Sequence, residues 1–107
     1  MLIPKQNRER KKAHREWIAS LPCCVSKLQG HTQAAHVSKG RFSMGLKSGD
    51  NNCLPLSVWE HEMQHRLGER LYWEQYGGIE KAKTLANALY EISGNTNAAL
   101  MLLARFR

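Results

Sequence analysis

Residues 23–54 restrict the fold of this chain more than any other stretch. They carry Gly30, Gly40, Gly45 and Gly49 with serines and asparagines between them, and no apolar spacing of helical period. Such a segment reads as loop with short strands. The best strand candidates are residues 33–38 and 53–56, and the glycine-rich connection between them predicts an irregular hairpin with His36 on its first strand. Everything on either side is helical in pattern, so the expected class is α+β and helix-rich, with the hairpin as its only sheet.

Residues 5–20, KQNRERKKAHREWIAS, are good helix formers with Ala13, Trp17 and Ile18 as apolar contacts, and Leu21-Pro22 ends that helix. Pro55 is suited to the first turn of the next helix, which is expected to run to about Tyr76, where Gly77-Gly78 stop it. At helical period Leu56, Trp59, Met63 and Leu67 fall on one stripe, predicted to face the core, with His61 and His65 on the far side. Residues 79–92 place Ile79, Ala82, Ala86, Leu89 and Tyr90 at helical spacing, Ser93-Gly94 terminate them, and Asn95 or Thr96 caps a last helix through Arg107. Seven apolar residues in a row at 98–104 exceed what one amphipathic face needs, so that helix is either well buried or covers a partner surface. With 107 residues the chain is expected to form a single domain. Trp17, Trp59 and Trp73 fall in apolar patterns and are expected in the core, whereas His14 and His31 are expected on the surface.

Sixteen Lys and Arg against nine acidic residues give a net charge of +7, which favours a polyanionic partner. A single basic run is most often a solvated helical face. The overall excess tips Arg8, Arg10, Lys11, Lys12 and Arg15 towards phosphate contact. Lys39, Arg41 and Lys47 sit among the hairpin glycines, where they either approach a phosphate or line a solvated loop. The start lacks an apolar segment after its charges and no apolar run can span a bilayer, so no membrane partner and a cytoplasmic location are expected. Three cysteines, two of them adjacent, argue against a disulfide framework; Cys23, Cys24 and Cys53 read as small buried residues.

His61 and His65 stand at i and i+4, the spacing at which one helix offers two ligands to one metal ion. Asn52 lies nine residues before His61, and His36 lies upstream across the hairpin. In this order and closing spacing the chain resembles the HNH, or ββα-metal, endonucleases, and within them the phage-encoded recombination-associated nucleases. The resemblance is carried by LPCCVS at 21–26, TQAAHV at 32–37, GLKSGD at 45–50, LPLSVWEHEMQH at 54–65 and GERLYW at 68–73.

That resemblance implies a ββα-metal core at about 32–70 with flanking helices, and one divalent ion, Mg2+, Mn2+ or Zn2+, held by His61 and His65. His36 stands at the position of the general base, and either Asp50 or Asn52 at the central position; alternatively His36 is itself a ligand. A phosphodiester hydrolase needs a base for water, a cation for the developing charge and a group that orients the base. Ala35 stands where the family carries an acidic or His ligand, which leaves the metal to His61, His65, water and Asp50. Two Cys-x-x-Cys knuckles of many family members are replaced here by Cys23-x-x-Ser26 and Ser57-x-x-Glu60, too few soft ligands for a structural zinc, and none is expected. The implied function is metal-dependent DNA cleavage in phage or prophage recombination or DNA processing, with recombination proteins as possible partners. The alternative is a catalytically silent DNA-binding or recombination-accessory protein on the same fold.

Overall fold

The computed structural model describes residues 5–37 and 52–106, with side chains from Lys12 onward. Among these residues it is α+β, with five helices and one antiparallel pair of strands, in the order α1 (Lys5–Ala19), β1 (Thr32–His36), β2 (Cys53–Ser57), α2 (Val58–Leu67), α3 (Glu69–Glu74), α4 (Ile79–Glu91) and α5 (Thr96–Arg105). The strands pair in the register Thr32 with Ser57 through His36 with Cys53. Val37 N–H donates to Asn52 O at 2.8 Å, which carries the ladder one residue further.

All five residues of β2 are buried, because α1 and α4 pack against it and its free edge is covered by the loop after α1. Cys24 N–H donates to Pro55 O at 2.9 Å across that edge. A strand covered on all sides reads as a continuous apolar run rather than an alternating one. Pro55, expected to open a helix, therefore lies inside β2, where its carbonyl is used and its missing N–H is not needed. The helix begins three residues later, because the Ser57 hydroxyl accepts Glu60 N–H at 3.2 Å and caps it.

The helix expected to run unbroken to Tyr76 is split at Gly68, whose φ of 87° lies outside the helical region and favours glycine. The break turns α3 back so that Tyr72 and Trp73 meet α2. Tyr72 O–H donates to Glu60 Oε1 at 2.6 Å, and Trp73 Nε1–H donates to Gln64 Oε1 at 2.7 Å. The inward ridge of α2 is thus half-buried Glu60 and buried Gln64, and the stripe predicted to face the core is turned outward: Trp59 is 56% exposed, with Met63 and Leu67 exposed beside it.

The core joins Ile18 of α1, Leu21 and Val25 of the following loop, Ala35 and Val37, β2, Tyr72 and Trp73, the buried faces of α4 and α5, and Phe106. Ile79, Ala82, Ala86 and Leu89 are buried as their spacing predicts, whereas Tyr90 is exposed and Leu85 fills the inner face. Asn95 caps α5 through its side chain, which accepts Ala98 N–H at 3.1 Å. The apolar run at 98–104 buries Ala99 and Leu103 and leaves Leu100 and Met101 exposed. Lys27, at φ 65°, donates from Nζ to Leu103 O (2.6 Å), Phe106 O (3.1 Å) and Cys24 O (2.9 Å), placing a cation on the C-terminal carbonyls of α5. No helix among the described residues is long and apolar enough to cross a membrane.

His14, expected on the surface, is 2% exposed. It turns inward from α1 because Nδ1 meets Ser93 Oγ at 2.7 Å and its ring stands edge-on to Tyr90 at 4.9 Å. His31 is exposed as expected, with its ring against Trp59 at 5.4 Å.

Candidate functional site

The hairpin and α2 bring three of the singled-out histidines into one neighbourhood. Ala35 of β1 and Val37 just after it enter the core, and the alternation of extended chain turns His36 to the opposite side, where it is half-buried. Asn52 lies across from Val37 at the end of the hairpin where the two strands are connected, so its backbone is held beside His36. From Ser57, paired with Thr32 at the other end, the chain enters α2, whose second turn carries His61 over β1. His61 Nδ1–H donates to Gln33 Oε1 at 2.7 Å, and its ring lies 4.8 Å from that of His65 one turn on.

This geometry fixes the state of His61. Partial burial lowers its affinity for a proton, and the nearby His65 and then His36 lower it further, so it stays neutral below the usual histidine range. The bond to Gln33 assigns the remaining proton to Nδ1 and leaves the Nε2 lone pair as an acceptor. A neutral imidazole oriented by a carbonyl is the form in which histidine binds metals, and Gln33 is the kind of outer partner that such ligands use. His61 meets that description, and His65 offers a second imidazole one turn on from the same helix. Among the described residues no group of three His, Cys, Asp or Glu side chains is arranged to hold an ion. An ion at this pair would have to draw its other donors from solvent, from a phosphate oxygen or from residues outside the described set.

Around the pair is an open groove of about 280 Å³ lined by Gln33, Val58, His61, Glu62 and His65. Across the outer face of α2 a second groove of about 220 Å³ is lined by Trp59, Glu62, Met63 and Arg66, and the two share Glu62. Arg66 reaches Glu62 at 3.1 Å in an exposed i, i+4 pair.

The four positions that the HNH resemblance sets against knuckle cysteines, Cys23, Ser26, Ser57 and Glu60, also converge. Cys23 Sγ accepts Ser26 N–H at 3.4 Å and is further approached by donors from Ser57 and Val25. Burial works to raise the Cys23 thiol, but these hydrogen bonds outweigh it and hold it below the ordinary thiol value. Cys24, buried deeper, is pushed well above that value by desolvation. Ser57 caps α2 and Glu60 accepts from Tyr72, so hydrogen bonding ties the two turns together. All three cysteines are buried, and none is joined in a disulfide.

Of the basic residues singled out for phosphate contact, Lys12 is exposed and Arg15 half-buried on α1. The side chains of Arg8, Arg10 and Lys11, and the whole of Lys39, Arg41, Lys47 and Asp50, lie outside the described residues. Sequence reasoning missed Gln33. Its place in the TQAAHV strand, three residues before His36, was the available sign, but only the path of α2 over β1 reveals its partner.

The family described as "Protein of unknown function (DUF968)" matches residues 1–92. Searches of curated proteins and of solved structures returned no match. The family match covers most of the chain, which therefore belongs to that family.

Proposed function

We propose that the chain is a metal-dependent endonuclease that hydrolyses DNA phosphodiester bonds on an HNH-like ββα core spanning about 32–70. The observation that carries the reading is the His61 imidazole, kept neutral and locked by Gln33 with Nε2 free, beside His65 and within electrostatic reach of His36. A divalent ion bound by that pair would stabilise charge on the phosphoryl group and the leaving oxygen. His36 takes the proton of the attacking water, a task suited to an imidazole whose ordinary pKa lies near neutrality. Asn52, held beside it by the hairpin, and Asp50 compete for the role of orienting group. The +7 charge gives the chain its attraction for the backbone of DNA. A place in phage or prophage recombination or DNA processing, in the cytoplasm and alongside recombination proteins, rests on the resemblance alone.

The test is a nicking assay with Mg2+, Mn2+ and Zn2+, paired with calorimetry of metal binding. His36→Ala is expected to abolish cleavage and leave metal binding largely intact; His61→Ala or His65→Ala weakens the metal, with partial recovery of activity at high metal concentration. Equal weakening of metal binding by His36→Ala would make His36 a ligand.

One observation favours a second reading. Ala35 is fully buried at the position where the HNH endonucleases it resembles carry a ligand, and no third donor joins the pair among the described residues. A DNA-binding accessory protein that has lost catalysis would bind DNA but fail to bind the ion or nick with any of the three metals.

A further inference from the structure

We infer that the groove over Trp59 holds an unpaired base of the DNA strand whose phosphate sits at His61 and His65. The placement of that phosphate rests on the nuclease reading above; the aromatic groove stands on its own geometry. Trp59 is 56% exposed, whereas Trp73 is fully buried and Trp17 only partly exposed. A tryptophan left this open on a helix, when Gln64 takes the buried place, is available as a stacking platform. One of its neighbours is His31, whose ring stands edge-on at 5.4 Å and braces the indole from the side. Met63 adds a polarisable apolar wall, and Arg66 lies at the rim.

The groove and the histidine pair occupy the two shoulders of α2 on either side of its Glu62 and Arg66 row, both grooves touching Glu62. A helix is about 10 Å across, so adjacent nucleotides of one strand reach from one shoulder to the other. The Arg66–Glu62 pair is solvent-exposed and therefore weak. Arg66 is accordingly able to exchange Glu62 for a phosphate of the same strand. In a paired duplex each base face is already stacked, so a groove of this kind selects unpaired DNA.

The experiment is binding in EDTA, where no cleavage occurs, of a short oligodeoxythymidine, an abasic strand of the same length and a duplex. Trp59→Ala is expected to weaken the oligodeoxythymidine by about 5- to 100-fold and to leave the abasic strand and the duplex nearly unchanged. Trp59→Phe should retain most of the affinity, and quenching of the parent's tryptophan emission should require bases. Equal losses on the abasic strand, or no loss on oligodeoxythymidine, overturn the inference. So does a shift from dimer to monomer in sedimentation of Trp59→Ala, which would make the patch a face for a second copy. A protein that fails the metal and cleavage tests but shows the base-selective loss refutes the nuclease reading and leaves the stacking groove standing. One that cleaves, yet binds base-bearing and abasic strands alike, does the reverse.

Discussion

Replacing Gln64 by Leu tests whether α2 is held to α3 by the buried hydrogen bond between them rather than by its apolar residues. Gln64 is 2% exposed, and its Oε1 is the acceptor for the Trp73 indole N–H at 2.7 Å, in a place closed to water. Leucine keeps the bulk and improves the hydropathy of the site, so a purely apolar account of the packing predicts a neutral or stabilising change. The hydrogen-bond account predicts a loss, because the indole N–H is left buried without an acceptor, at a cost of about 1–3 kcal/mol. For a chain of this length that is a fall in Tm of roughly 4 °C for each kcal/mol. The assay is denaturant unfolding followed by circular dichroism, repeated in a Trp73→Phe background that has no N–H to satisfy. There Gln64→Leu should cost much less, giving a coupling of about 1 kcal/mol or more between the two positions. If the loss is the same in both backgrounds, the hydrogen bond is not what the substitution removes and the reasoning fails.

Gln33→Leu removes the acceptor that orients His61; it should weaken divalent-metal affinity by roughly 10- to 100-fold and barely move Tm, and calorimetry showing parental affinity would count against the ligand assignment. The lowered proton affinity of His61 arises first from burial and then from His65 and His36, so His65→Ala should move its NMR titration midpoint upward. An unmoved midpoint would mean the two rings do not interact. Because its folded-state pKa lies below that of the unfolded chain, the unfolded chain takes up the proton first as pH falls past about 6.5. The associated stability is whole above that pH and is lost on the way down through the folded-state value, which urea midpoints measured across the range would register. Ser57→Ala removes the α2 cap and should cost about 0.5–2 kcal/mol, whereas Ser57→Asp should retain most of the stability; equal losses would assign the effect to the burial of Ser57 rather than to its hydroxyl.

The elements that the sequence made legible are those whose signals are local. The two strands of the hairpin are expected at 33–38 and 53–56, Asn95 is one of two candidate caps for α5, and the spacing of Ile79, Ala82, Ala86 and Leu89 marks the inner face of α4; each appears in the structure close to where it is expected. The misreadings share a different cause. Pro55 reads as a helix opener until the loop at Cys24 is known to need its carbonyl, His14 reads as a surface residue until Ser93 arrives beside it, and Lys27 shows nothing until the end of α5 is placed against it. Each partner is more than thirty residues away in sequence, so no window of local pattern contains it. The site divides in the same way: the His61 and His65 pair is visible from helical spacing, whereas Gln33 is joined to it only by the path of α2 over β1.

The inverted faces of α2 follow from what α3 brings to it. Once Gly68 turns α3 back, a phenol and an indole arrive at the buried side, and both carry donors that must be satisfied away from water. Only acceptor side chains at that ridge meet the need, and Glu60 and Gln64, one turn apart, supply them. Burial together with the Glu60 acceptor keeps the Tyr72 phenol protonated far above its ordinary range, so its donor role is permanent. With the ridge occupied by polar groups, the apolar stripe has to lie on one shoulder and the imidazoles on the other. The two grooves are therefore products of one packing decision, and a change that unseats Gln64 or Glu60 should disturb the orientation of His61 and Trp59 together.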